Sequence, residues 1–193
     1  MRRTFFSLGD PGFRSHFAEF QRTAFRLETL QKYDVTYERT EFERFLAGES
    51  RGTFPGLEGW LRRVGEGTRR GKEFRRVHIL EEPLTDYARF ECLWSYRHTV
   101  AAGEDVRIIP VPAGQWPEGL PRRDFWLFDS RRLVLMNYGP DGTFVSAEAL
   151  DDPEPVAEAV RWRDRALAAS TPFPEYARRF DELMLSSGSG RPA

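Results

Sequence analysis

Pro121-Arg-Arg-Asp-Phe-Trp-Leu-Phe-Asp-Ser-Arg-Arg-Leu-Val-Leu-Met136 is the stretch whose reading decides the fold. Asp124 and Asp129 bracket four consecutive large apolar residues, and Leu133 to Met136 supply a second apolar run. Asp129-Ser130-Arg131 between them is a tight turn, so the stretch predicts two sequential strands. In the first strand Phe125 and Leu127 point to one side, and Trp126 and Phe128 to the other. A strand apolar on both faces belongs in the middle of a sheet covered by helices on each side.

Downstream, Tyr138 to Gly142 (YGPDG) reads as a turn, and Thr143-Phe-Val145 as a further strand. Asp151-Asp-Pro153 then opens a helix over about 153–169, with Val156, Val160, Ala166 and Leu167 inward. A last helical piece carries Tyr176, Phe180 and Leu183, and the Ser/Gly-rich end, 186–193, reads as a disordered tail after one domain over 1–185.

Upstream, Asp105-Val-Arg-Ile-Ile-Pro110 and Phe74 to Leu80 are strands on either side of a helix over about 85–101. Thr85 caps that helix and Gly103 ends it. Two strands joined by a helix predict a parallel, right-handed βαβ unit. Further back, Leu57 to Arg69 is helical, and Thr40-Glu-Phe-Glu43 matches a capping box for a short helix stopped at Gly48. Tyr33 to Tyr37 reads as a small strand or an extended link. At the N-terminus, Phe13, Phe17, Phe20, Ala24 and Leu27 recur at helical spacing behind Asp10-Pro11, which predicts one amphipathic helix over 11–31. The expectation is an α/β (α+β) domain: a central mixed sheet of about five strands, helices on both faces and an N-terminal helical segment.

Composition narrows the function classes. The 193 residues are 40% apolar and 14% aromatic, enough for a substantial core. Net charge is −1, so attraction to nucleic acid has to be local. No apolar run approaches the roughly 20 residues that span a bilayer, and Asp10-Pro11 interrupts any leader-like segment; a cytoplasmic protein with no membrane contact is expected. The single cysteine, Cys92, excludes an internal disulfide and lies on an apolar helix face, where a thiol is inert. His16, His78 and His98 fall in no metal-ligand spacing, no nucleotide fingerprint is present, and no cofactor is indicated.

Two groups of residues bear chemistry. Arg62, Arg63, Arg69, Arg70, Lys72, Arg75 and Arg76 crowd into 15 residues with only Glu66 and Glu73 among them, a stretch suited to phosphates. Asp124, Glu82 and Glu91 are the candidate catalytic acids, with Arg107 and Trp126 completing an expected crevice. Acids at element ends also serve as caps and ion-pair partners, and Asp124 and Asp129 could be either chemistry or turn punctuation.

Four blocks carry a resemblance. They are Leu27-Glu28 through Tyr33-Asp-Val, Glu38 and Phe45-Leu-Ala-Gly48; Arg76-Val and Glu82-Pro-Leu-Thr-Asp-Tyr87-Ala-Arg89-Phe-Glu91; Ala102-Gly-Glu-Asp-Val-Arg107; and Asp124 to Asp129. Together they resemble the actinobacterial family of domain of unknown function 6879. That resemblance implies proteins commonly encoded beside helix-turn-helix regulators, and no established reaction. At the level of fold, the run from Ala102 through Asn137 is similar to half of a phospholipase D-like domain, ending in Asp129, Leu133-Val-Leu135 and Asn137. Where that pattern has its histidine and lysine, this chain has Asp124 and Trp126, and loss of the histidine nucleophile removes the phosphohydrolase mechanism.

The residues therefore support a non-catalytic regulatory or sensor domain that binds a partner protein, such as a helix-turn-helix regulator, or an anionic ligand. The alternatives are an RNA- or nucleotide-directed enzyme, such as a tRNA-dependent group transferase, and a structural dimerisation module.

Overall fold

The computed structural model describes residues 2–49 and 54–179. Its frame is a mixed eight-stranded sheet. In chain order the elements begin with β1 (Arg2–Phe5), α1 (Pro11–Glu19) and β2 (Thr23–Glu28), then α2 (Arg39–Leu46), α3 (Pro55–Arg69) and β3 (Glu73–Glu82). Next come α4 (Asp86–Phe90), a π-helical turn over Glu91–Tyr96, α5 (Arg97–Ala102) and β4 (Glu104–Pro112). The chain continues through β5 (Asp124–Phe128), β6 (Arg132–Tyr138), β7 (Phe144–Leu150), α6 (Pro153–Ala169) and β8 (Thr171–Pro172), and residues 173–179 are helical. The order across the sheet is β1-β7-β6-β5-β2-β3-β4-β8, with β2, β3 and β4 parallel and every other pairing antiparallel.

The quoted stretch forms the hairpin β5–β6. Asp129 and Ser130 both take positive φ, 52° and 54°, and the Arg131 amide donates to the Phe128 carbonyl. Two positive-φ residues in succession give a turn whose twist matches that of the strands. β5 is buried along its whole length. Phe125 and Leu127 join Phe25, Leu27, Val77 and Ile109 under α6, which contributes Val156, Ala159 and Ala166. Trp126 and Phe128 pack on the opposite face with Phe13 of α1 and Val64 of α3. Farther along that second face, Ala88, Cys92 and Tyr96 of the α4–α5 segment cover Val106 and Ile108.

Three strands went beyond the expected five, and β2 is the informative one. The single helix read over 11–31 is instead α1 plus β2. Phe20 ends α1 in an extended conformation (φ −60°, ψ 144°), and Thr23–Glu28 runs between β5 and β3. A strand buried on both faces shows no alternation, so Ala24 and Leu27 fell by chance into phase with the helix before them. β1 is a short edge strand on β7, and β8 pairs only two residues. The Tyr33–Tyr37 strand reduces to one bridge, Asp34 with Thr143, followed by a 3-10 turn over Thr36–Glu38. α2 starts at Arg39 without a side-chain cap, so the capping box at Thr40 is not made. The Thr85 cap is made: its side chain accepts from the Ala88 amide at 3.1 Å. The proposed tail, 186–193, lies outside the described residues.

Gly142 shows how the Tyr33 segment is held. It has φ +86°, and an added Cβ would sit 2.5 Å from the Lys32 carbonyl oxygen and 3.0 Å from the Tyr33 Cα. Its own carbonyl accepts from the Asp34 amide at 3.0 Å. Gly48 and Gly114 have similar φ, +81° and +78°, with nothing within 4 Å. All three alanine replacements bear a left-handed backbone penalty of about 1 kcal/mol. Gly142→Ala adds a backbone clash, so urea unfolding should show it losing at least about 1 kcal/mol more than Gly48→Ala or Gly114→Ala.

Candidate functional site: a buried charge chain beneath an open cavity

The face of the sheet under α1, α3 and the α4–α5 segment carries an unusual load of ionised side chains. Alternate residues on neighbouring strands meet there: Arg26 and Glu28 on β2, Arg76 on β3, Glu104 on β4 and Asp124 on β5. They form one alternating chain. Glu104 accepts from Arg76 Nε at 2.9 Å, and Arg76 Nη1 donates to Glu28 at 2.7 Å. Glu28 also lies 3.4 Å from Arg26 Nε, and Arg26 Nη2 donates to Asp124 at 2.7 Å. Trp60 Nε1 donates to Glu104 at 2.8 Å, and Tyr138 Oη accepts from Arg26 at 3.0 Å. Burial opposes charge on every member. Arg76 and Arg26 hold the Glu28 carboxyl at about 2 against that penalty, and the acids keep both guanidinium groups charged.

Asp124 is therefore an acceptor at the centre of this network. Besides Arg26 it takes the Thr29 amide at 2.9 Å, the Thr29 hydroxyl at 2.6 Å and the Tyr33 hydroxyl at 2.7 Å. With its oxygens committed to four donors and 2% of its surface exposed, it has no free lone pair facing solvent for proton abstraction. Asp129 is also structural. It accepts from the amides of Gln21, Arg22 and Thr23 at 2.7–2.9 Å; burial raises its pKa, and these three bonds more than reverse that.

Glu91 lies deeper, on the π turn. Residues five apart on an α-helix point about 140° away from each other. The wider π turn instead lets Glu91 and Tyr96 face the sheet together, 2.9 Å apart. Tyr96 Oη is also 2.6 Å from His78 Nδ1, and His78 Nε2 is 2.8 Å from the Leu30 carbonyl. A carbonyl only accepts, so Nε2 carries a proton. Burial lowers the His78 pKa, leaving Nδ1 bare to accept from the Tyr96 hydroxyl. The Tyr96 hydroxyl also lies 2.9 Å from Glu91 and 3.2 Å from Glu28, and burial, then the charges of Glu28 and Glu38, push the Glu91 pKa well up. The Tyr96 hydroxyl thus joins Glu91, Glu28 and His78, and His78 carries the network on to the Leu30 carbonyl.

Glu28, His78 and Glu91 also place one donor atom each within 4.8 Å, a grouping that the sequence spacing of the histidines did not reveal. All three residues already have hydrogen-bond partners, Glu28 in Arg76 and Tyr96, and His78 and Glu91 in Tyr96, and two guanidinium groups lie alongside, so the geometry serves the hydrogen-bond network rather than a cation. His16 stacks on Phe128 and His98 lies on α5, both apart from this grouping. Cys92 is buried and its thiol pKa is pushed up, first by burial and then by Glu91, as its apolar helix face led us to expect.

Above the buried chain the surface opens into a cavity of about 220 Å³ between α2 and the Tyr33 turn. Tyr33 and Tyr87 line it and also reach inward, Tyr33 to Asp124 and Tyr87 to Glu38 at 2.7 Å. Burial raises Glu38 from 4.5 to about 7, and the Tyr87 hydrogen bond only partly opposes this. Sequence reading had used Glu38 only as a resemblance residue; no local pattern marks a carboxyl whose burial depends on α4 folding over it.

The crevice expected from Asp124, Trp126, Arg107 and the 62–76 cations does not assemble. Arg107 pairs across from Val77 and reaches Ser170 beyond α6, on the face of the sheet opposite Asp124. Trp126 is 8% exposed and packs edge-on against Phe17 and Trp60. Glu82 accepts from Tyr176 at 3.1 Å, away from the other acids. The cations divide four ways. Arg76 is buried in the charge chain, and Arg75 pairs with Glu73 at 2.7 Å. Lys72 lies over the Phe20 ring and donates to the Phe20 carbonyl. Arg62, Arg63, Arg69 and Arg70 remain on the outer side of α3 and its end.

Two outcomes follow. Asp124→Asn leaves buried Arg26 short of its main counter-charge and should cost about 3–5 kcal/mol; the double variant Arg26→Met/Asp124→Leu should cost less than the sum of its singles in urea unfolding. Glu28, depressed to about 2, contributes stability above about pH 4.5 that is lost as pH falls toward 2. Glu38, raised to about 7, contributes stability below about pH 4.5 that is lost as pH rises through 7. Thermal melts should therefore show Glu38→Gln gaining on the parent between about pH 4.5 and 7 and holding a constant offset above.

A search by sequence found no match among curated proteins. Among solved structures, NucT from Helicobacter pylori superposes with a TM-score of 0.47 at 10% identity, covering 89% of this chain and 98% of that one. TrmBL2, an archaeal chromatin protein whose structure shows a novel mode of DNA binding, gives 0.48 at 7% identity, covering 89% of this chain and 55% of that one. No described helix is long and apolar enough to cross a membrane. The family model for the domain of unknown function DUF6879 matches residues 11–178, and the chain belongs to that family.

Proposed function

We propose that this chain is a non-catalytic binding module whose partner is a nucleic acid, gripped through its phosphates by the outer face of α3. The carrying observation is the Arg14–Arg63 pair. Arg63 is held with its guanidinium 5.5 Å from the Phe17 ring, where burial and then the neighbouring charge of Arg14 both disfavour its positive form. Neither arginine has an acid partner among the described residues. Elsewhere this chain pairs its arginines freely, as in Arg39–Asp34, Arg44–Glu49 and Arg75–Glu73. Two like charges kept together beside an aromatic ring, in a chain with 30 acids, are suited to an anion that arrives from outside.

The rest of α3 extends that surface. Arg62 and Arg69, and likewise Arg63 and Arg70, are seven residues apart, which places each pair about 10 Å apart along one side of the helix. Net charge gives no long-range attraction, so the grip is local and steeply dependent on salt. The saturation of Asp124 and the burial of Glu91 favour binding over catalysis, since a base must reach its substrate proton. A regulatory role beside a helix-turn-helix protein is compatible with such a module.

Fluorescence anisotropy with labelled single-stranded RNA and duplex DNA at several salt concentrations tests the reading. Binding should weaken steeply with salt, and the combined Arg14→Ala/Arg63→Ala variant should bind at least about tenfold more weakly with a slope reduced by about 1–2. Arg75→Ala, whose partner is internal, should bind as the parent does. Absence of binding at low salt, or salt-insensitive co-purification with a helix-turn-helix protein in its place, would overturn the assignment.

A further inference from the structure

We propose that the cavity between α2 and the Tyr33 turn is a binding site for an organic ammonium group, held by aromatic faces and the Glu38 carboxylate. The site is independent of the α3 surface.

Its walls are aromatic. Tyr33 and Tyr87 have ring centroids 6.2 Å apart at 59°, and Phe42 lies 5.5 Å from Tyr87 at 72°. All three line the cavity. Rings inclined to one another form a corner rather than a stack, and aromatic faces attract cations through their negative quadrupole. At about 220 Å³ the space is below the range of drug-sized pockets and suits a compact head group.

Its charges point the same way. Arg39 donates to Asp34 through Nε at 2.8 Å and Nη2 at 2.6 Å, so each neutralises the other. Glu43 lines the cavity and is exposed. Glu38 has no ion-pair partner among the described residues; its hydrogen bond comes from the neutral Tyr87 hydroxyl. Elsewhere on this side of the sheet, buried Glu28, Glu104 and Asp124 each meet a guanidinium. Glu91 and Glu38 are the acids there that no guanidinium meets; Glu91 is enclosed against Tyr96, whereas Glu38 lines the cavity, where a bound ammonium would supply its cation. An anion in the same place would face Glu38, Glu43 and three ring faces. Lys32 also lines the cavity, is exposed, and opposes the cation.

Choline, its uncharged carbon analogue 3,3-dimethylbutan-1-ol, and inorganic phosphate form the test set, read by amide and aromatic NMR shifts on the full chain. Choline should perturb Tyr33, Phe42 and Tyr87 saturably, with the uncharged analogue at least about tenfold weaker. Glu38→Gln and Phe42→Ala should each weaken choline at least about tenfold, and Lys32→Ala should strengthen it. Phe42 lies outside the buried charge chain, so its variant keeps the test valid if Glu38→Gln disturbs the fold. Equal binding of the uncharged analogue, binding of phosphate in place of choline, or no saturable shift would each overturn the proposal.

Discussion

Arg26 carries a full positive charge on a central strand with 3% of its surface exposed. Removing a guanidinium from water costs several kcal/mol even after relaxation, and only close counter-charges offset it. Asp124 and Glu28 provide them from the strand beside it and from its own strand. Because Glu28 is shared with Arg76, and Arg76 with Glu104, removing either arginine leaves an end carboxylate, Asp124 or Glu104, buried without its cation. The Arg26–Asp124 contact thus ties β2 to β5, and through Thr29 and Tyr33 it also fixes the chain leaving β2. Arg26 Nη1 is left without a hydrogen-bond partner while the guanidinium lies 5.5 Å from the Trp126 ring, so the polar chain borders directly on the aromatic layer.

That arrangement splits the molecule into faces with different tasks. Under α6 the sheet buries aliphatic and phenyl side chains and no ionised chain of this kind. Under α1, α3 and the α4–α5 segment it buries the charge chain, flanked by Trp60, Trp126 and Phe128. The uncommitted features lie at the outer limits of the second face: the Arg14–Arg63 pair on one side, Glu38 and its aromatic corner on the other. Inside, charges satisfy each other; outside, the arginine pair and Glu38 have no ion-pair partner among the described residues.

Much of the scaffold was legible from local pattern. The hairpin at Asp129-Ser130, the two-faced burial of β5, α6 and the β3–β4 parallel pair follow from periodicity and turn chemistry acting over a few residues. β2 was not legible. Its apolar residues continued the phase of α1, and its polar residues are Arg26 and Glu28. Whether those two face water or each other depends on strands about 50 and 100 residues away, and periodicity contains no such information. The same limit applied to the acids. Asp124 stood out as a lone carboxylate on an apolar strand, which is the appearance of a catalytic residue and equally of a buried ion-pair partner.

By itself the sequence determined the fold class, most helix limits, the inert Cys92 and the cluster of arginines on α3, since each rests on local propensity or composition. Only tertiary structure decided which charges meet. It sent Arg76 inward and left Arg62, Arg63, Arg69 and Arg70 outside, placed Arg107 on the opposite face, aligned Glu91 with His78 through a π turn, and left half-buried Glu38 without an ion-pair partner among the described residues. Ionisation and pairing depend on distances of a few ångströms between residues far apart in the chain, and those distances exist only once the sheet has formed.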